Sequence, residues 1–102
     1  VAGSKHYFLT GKDARRELDL INQMIAYHEK NGYELILPPT LINKTCAEWA
    51  GILPDFEGDF YQTTDGFILI PTAETPMVGY HADEIFKETD LPKKYVALSQ
   101  CY

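Results

Sequence analysis

A long helical pattern that stops at a glycine most restricts how this chain can fold. Between residues 14 and 30 the apolar side chains, joined by one histidine, recur at steps of four and three along one helical face: Ala14, Leu18, Ile21, Ile25 and His28. Thr10 or Asp13 can accept the free N–H groups of a first turn. Asn31-Gly32 supplies the left-handed stop that ends many helices. The pattern predicts a helix up to Lys30.

A proline pair limits the strand that comes after that helix. Residues 33–37 form a strand candidate that closes at Pro38-Pro39. Neither proline can serve in the middle of a sheet, so this strand ends there or lies at an edge. Asn43 or Thr45 can cap a short helix through Trp49, with Gly51 beyond its end.

The second half of the sequence predicts a hairpin, a helix and a last strand. Residues 60–63 and 67–70 are strand candidates joined through Asp65-Gly66, a strong hairpin signal. A helix follows over residues 73–81, where Pro76 is acceptable only in the first turn. Residues 83–94 form a charged connector with room for a helical turn, and residues 95–102 form a strand. Hairpins rather than regular strand–helix alternation favour an α+β fold with an antiparallel sheet and flanking helices.

The length of 102 residues corresponds to one domain or part of one. Because the sequence stops within the last strand candidate, we expect residues 1–102 to be a piece of a larger protein. No apolar run approaches the roughly 20 residues of a membrane span, and the N-terminus lacks the pattern of a signal peptide. Cys46 and Cys101 show no paired or metal-type spacing, which favours reduced thiols and a cytoplasmic location.

Charge is unevenly distributed along the chain. The net charge is −6, and residues 45–102 carry three lysines against ten aspartates and glutamates. An acidic segment does not attract the phosphate backbone of a nucleic acid, so residues 45–102 are not expected to form a main nucleic-acid-binding surface.

A turn between two prolines carries the main functional hypothesis. Thr72 and Glu74 lie two residues apart between Pro71 and Pro76. A bound ammonium group would find one negative and one neutral acceptor there. The alternative is that the pair only starts a helix, since threonine is a good cap and glutamate favours the helix dipole. The two interpretations are compatible.

Four blocks resemble class II aminoacyl-tRNA synthetases of the seryl type, in the order found in that family. The helix at 14–30 with Pro38-Pro39 resembles motif 1, and residues 51–61 resemble the block G-x-L-P-x-F-x-x-D-x-Y. Thr72-Ala73-Glu74 matches the T-x-E loop, and residues 90–99 resemble the run that leads into motif 2. The resemblance covers nearly the whole chain and corresponds to the N-terminal part of the catalytic domain, from motif 1 to just before the motif 2 arginine.

The resemblance implies a function and site residues. The parent enzyme would use ATP and Mg²⁺ to activate serine and would transfer it to tRNA(Ser). Thr72 and Glu74 would hold the serine ammonium, and Pro39 would contact a partner subunit through the motif 1 homodimer interface. The resemblance places no catalytic residue and no metal ligand in this chain, and the motif 2 arginine would follow Tyr102. The 102 residues alone are therefore expected to be inactive and to hold no cofactor.

Other interpretations remain open. The chain could be a non-catalytic, synthetase-derived module for amino-acid binding or dimerisation, or part of a ligase that loads amino acids onto a carrier protein. Pro39 could be a plain strand terminator. The three histidines are too scattered for a metal site: His6, His28 and His81. The acidic loop around Asp55, Glu57 and Asp59 lacks the twelve-residue calcium pattern, which favours a solvated turn.

Overall fold

The computed structural model of the chain describes residues 3–54 and 58–102. Its elements, in chain order, are α1 (Gly11–Lys30), β1 (Glu34–Ile36), β2 (Leu41–Ile42), α2 (Lys44–Trp49), β3 (Ile68–Leu69), α3 (Glu74–Tyr80), a 3₁₀ turn (Glu88–Asp90) and β4 (Tyr95–Ala97). Helices and short strands are thus both present, as the α+β prediction required. None of the described helices is long and apolar enough to cross a membrane.

The predicted first helix is confirmed, but its apolar face is poorly covered. Thr10 occupies the N-cap position without a capping bond from its side chain, and Gly32 adopts the left-handed conformation with φ of 89° just beyond the helix end. No residue of α1 is buried. Leu18, in the middle of the predicted stripe, remains 52% exposed. The helix therefore contacts the rest of the described structure along only part of its apolar face.

The prediction of an antiparallel sheet is correct for one strand pair and wrong for the other. β2 pairs with β3 in antiparallel register, with Leu41 opposite Leu69. β1 pairs with β4 in parallel, with Leu35 opposite Val96. A parallel pair requires a long crossover, and residues 37–94 supply it. Local hairpin signals cannot reveal a pairing between strands so far apart in the sequence.

The prediction that the chain ends within a strand is also wrong. β4 ends at Ala97, and residues 98–102 lie outside the named strands. The Leu98 N–H still donates to the Ile36 carbonyl at 3.3 Å. Beyond that point Pro38 and Pro39 offer no N–H groups, so the β1–β4 ladder cannot be extended.

The hairpin turn forms as predicted, although its first arm is short. Gly66 has a φ of 95°, and the Thr63 N–H donates to the Phe67 carbonyl at 2.8 Å. The first arm is a single bridge between Gln62 and Ile68 rather than a strand. The block at 51–61 is described only in part, because Asp55, Phe56 and Glu57 lie outside the described residues. The solvated-turn interpretation of that loop therefore stays a prediction.

A small core joins the β2–β3 pair to α2. Its buried hydrophobic residues are Ile42, Ala47, Ile68 and Ile70. Asn43 begins α2 as predicted, since its side-chain oxygen accepts the Cys46 N–H at 2.9 Å. α2 then packs against α3. This packing fixes the helix that begins with Glu74, one of the two predicted ammonium-binding residues.

Candidate functional site

The candidate site is the turn that joins β3 to α3. After β3 the chain passes through buried Ile70 and reaches Pro71, which has no N–H to continue the ladder. Glu74 is the first residue of α3, and Pro76 is the third, so the proline lies in the first turn as predicted. The two prolines therefore limit where the strand can continue and where the helix can begin.

Thr72 and Glu74 are close together and exposed at this turn. The Thr72 hydroxyl oxygen accepts the Glu74 backbone N–H at 3.3 Å, and the Thr75 hydroxyl donates to the Thr72 carbonyl at 2.9 Å. The helix-start interpretation of Thr72 therefore has a geometric basis. Its hydroxyl can still accept a second hydrogen bond. The Glu74 carboxylate makes no hydrogen bond or ion pair with any described residue, so both interpretations of the pair remain compatible.

Cys46 on α2 packs against α3 at Thr75 and Gly79. Its thiol donates to the Thr75 carbonyl at 3.3 Å, and a Cβ added at Gly79 would lie 3.1 Å from the sulfur. Burial raises the pKa of the Cys46 thiol, an effect that a hydrogen bond from the Gly79 backbone partly opposes. Cys46 is therefore a neutral packing group rather than a nucleophile. The sequence gives no sign of this role, because Cys46 and Thr75 are far apart along the chain.

The far end of α3 is attached to β4. His81 follows the helix, and its imidazole is hydrogen-bonded to the hydroxyl of Tyr95, the first residue of β4. At the other side of the turn, the Tyr102 N–H donates to the Ile70 carbonyl at 2.9 Å. Sequence reasoning considered His81 only as a metal ligand and missed this contact. Within residues 3–54 and 58–102, no three His, Cys, Asp or Glu side chains come together as they would to hold a metal ion.

Pro39 lies at a different place from the ammonium pair. It is exposed and lines an open, largely apolar cavity of about 500 Å³, together with Trp49, Tyr80 and others. Neither Thr72 nor Glu74 lines this cavity. The structure thus brings Thr72 and Glu74 together in one turn and places Pro39 at an apolar cavity that this pair does not line.

Comparison with known proteins tests the resemblance seen in the motifs. No family model matches the chain. Its sequence is 50% identical to a serine–tRNA ligase of Caldicellulosiruptor bescii over 103 aligned residues, and 46% identical to serine–tRNA ligase 1 of Clostridium acetobutylicum. Both alignments cover 100% of this chain and 24% of the relative. The chain therefore spans about a quarter of the length of these relatives.

Solved structures give the same result for the fold. The chain matches a cytoplasmic serine-tRNA ligase from Naegleria fowleri in complex with AMP, with a TM-score of 0.90 and 33% identity over 100% of this chain and 24% of the other. It matches seryl-tRNA synthetase from Pyrococcus horikoshii complexed with ATP, with a TM-score of 0.85 and 34% identity over 94% of this chain and 22% of the other. The resemblance read from the motifs is confirmed: the chain is homologous to a segment of seryl-tRNA synthetases that makes up about a quarter of those proteins.

Proposed function

We propose that this chain is a fragment of a seryl-tRNA synthetase. The parent enzyme would activate serine with ATP and transfer the seryl group to tRNA(Ser). The main support is the 50% identity to a serine–tRNA ligase along the whole chain. The similar structures from Naegleria fowleri and Pyrococcus horikoshii contain AMP and ATP, which supports the use of ATP by the parent. A cytoplasmic location fits such an enzyme.

Thr72 and Glu74 are proposed to bind the ammonium group of serine. The substrate ammonium carries one positive charge and three donors. Glu74 offers a carboxylate that no described residue engages, and Thr72 offers a hydroxyl beside it. A charge-assisted hydrogen bond of this kind contributes about 1.5–3 kcal/mol. The pair would thus supply a large share of the binding energy of a small amino acid.

Fixing the ammonium also serves the chemical step. Serine activation requires the serine carboxylate oxygen to lie in line with the α-phosphorus of ATP, and anchoring the neighbouring ammonium removes much of the rotational freedom of the substrate. The contribution that we assign to Thr72 and Glu74 is therefore to orient the amino acid. We expect the 102 residues alone to give no turnover, because the resemblance places the phosphate-binding arginines in motifs beyond those seen here.

The parent enzyme is proposed to be a homodimer that uses Pro39 at its interface. Pro39 lines the open apolar cavity, and large apolar side chains beside it are exposed, including Leu37 at 71% and Trp49 at 54%. The uncovered face of α1 adds further exposed apolar surface, including Met24 at 58%. Exposed apolar side chains that line an open cavity, as Leu37 and Trp49 do here, are typical of interaction sites.

Removing the charge of Glu74 tests the proposed function. In the full-length enzyme that carries this segment, Glu74→Gln should weaken serine binding by about 10- to 100-fold, because it removes the negative charge that faces the ammonium. Glu48→Gln, an equal change at an exposed residue of α2, is the matched control and should leave serine binding unchanged. Binding is measured by calorimetry, and activation by serine-dependent exchange of pyrophosphate into ATP.

Three outcomes would contradict parts of this proposal. Equal serine affinity in both variants would show that Glu74 does not bind the ammonium. Serine binding without pyrophosphate exchange in the unmodified full-length protein would instead favour a non-catalytic amino-acid-binding module. Adenylate formation followed by transfer to a carrier protein, without charging of tRNA, would favour the carrier-protein ligase.

A further inference from the structure

A partly buried aromatic cluster joins the far end of α3 to β4. The His81 Nε2 and Tyr95 Oη atoms are 2.5 Å apart, and the two rings stack with centroids separated by 5.6 Å. Phe86, from the connector, meets the His81 ring edge-on at 4.8 Å. The His81 side chain is only 23% exposed. The helix that begins with Glu74 is thus attached to β4 by a specific polar contact among partly buried aromatic rings.

Glu84 indicates which atom donates the hydrogen bond in this cluster. Its Oε1 atom lies 3.2 Å from Nδ1 of His81, although the approach is not aligned for a hydrogen bond. Nδ1 is buried and has no hydrogen-bond partner among the described residues. A nearby carboxylate favours the neutral tautomer that carries its proton on Nδ1, which leaves Nε2 as the acceptor. We therefore assign the Tyr95 hydroxyl as the donor to His81.

The segment that contains Tyr95 is attached to both ends of the candidate site. Tyr95 bonds to His81 after α3, and the Tyr102 N–H donates to the Ile70 carbonyl before the turn. Thr72 and Glu74 lie between these two attachments. At about 1.5 Å of rise per residue, Glu74 is roughly 10 Å from His81, so a tilt of about 6° at His81 would move Glu74 by about 1 Å. Misplacement on this scale is enough to disturb a bound substrate.

We propose that Tyr95 and His81 are positioning residues that hold α3 so that Thr72 and Glu74 are in place to receive the amino-acid ammonium. This inference rests on the proposed function, since it concerns the same serine site. The two residues do not touch the substrate. They act through the orientation of α3, which Cys46 contacts at Thr75 and Gly79 and which the His81–Tyr95 hydrogen bond holds at its far end.

The test removes one hydroxyl group in the full-length enzyme that carries this segment. Tyr95→Phe keeps the ring stacking and loses only the donor to His81. We expect KM for serine in pyrophosphate exchange to rise about 3- to 10-fold, the range of one net hydrogen bond, while KM for ATP and kcat change less than about 2-fold. Tyr33→Phe removes a hydroxyl that bonds to no described residue and is the matched control, with no change expected in KM for serine.

Substitutions at His81 test the same bond from its other side. His81→Gln retains an acceptor near the position of Nε2 and should keep KM for serine within about 2-fold of the unmodified enzyme, whereas His81→Leu should behave like Tyr95→Phe. If Tyr95→Phe and His81→Leu lower the melting temperature but leave KM for serine as in Tyr33→Phe, the cluster is only structural. This inference then fails, and the proposed function is unaffected. If the unmodified enzyme shows no serine-dependent exchange, the proposed function and this inference both fail.

Discussion

Replacing Ile68 should show how strongly this fold depends on its small core. Ile68 is fully buried in β3, where it pairs with Ile42 and bridges to Gln62. Ile68→Ala removes three carbons, which corresponds to about 2.4 kcal/mol at roughly 0.8 kcal/mol for each buried methylene. The cavity left behind adds to this loss, so the free energy of unfolding should fall by about 3–4 kcal/mol. That loss is a large fraction of the roughly 5–15 kcal/mol typical of a domain.

Urea denaturation of the chain, followed by circular dichroism, measures this loss. With a slope of about 1.5 kcal/mol per molar urea, the midpoint should fall by roughly 2 M. Ile85→Ala is the matched control, because Ile85 is 99% exposed and the same change there should alter stability by less than about 0.5 kcal/mol. Ile68→Val removes one carbon at the same site and should lower the free energy of unfolding by only about 1 kcal/mol. Equal midpoints for Ile68→Ala and Ile85→Ala would refute the assignment of the core to the β2–β3 pair.

Two further predictions concern α2. Asn43→Ala should lower the free energy of unfolding by about 1 kcal/mol, because it removes the side-chain oxygen that accepts the Cys46 N–H. Asn43→Asp keeps an acceptor at this position and should retain most of the stability. An unchanged melting temperature for the alanine variant would contradict the capping role. Burial raises the pKa of the Cys46 thiol above its ordinary 9.0, so the folded state binds this proton more tightly than the unfolded chain does. This contribution to stability is complete below the ordinary pKa and is lost as the pH rises through the raised value. At a pH near 9, iodoacetamide should alkylate Cys46 more slowly than the exposed Cys101, and equal rates by mass spectrometry would contradict this.

Local features of the fold were predictable because their causes are local. The periodicity of α1, the stop at Gly32, the cap at Asn43 and the turn at Gly66 all depend on residues a few positions apart. The Thr72–Glu74 turn was recognised for the same reason, since two prolines restrict where β3 and α3 can extend.

Pairings between distant residues depended on tertiary structure. The parallel register of β1 with β4 is set only when residues 37–94 fold into a crossover, and no local signal distinguishes it from an antiparallel pairing. The early end of β4 likewise follows from the prolines after β1, which cannot donate to a ladder.

The sequence by itself determined the helices, the turns and the motifs that identify relatives of this chain, because each arises from side chains that are near neighbours along the backbone. Only the tertiary structure decided how α3 is held. Cys46 meets Thr75 across 29 positions and Tyr95 meets His81 across 14, and the free energy of such contacts depends on packing that no short stretch of sequence encodes.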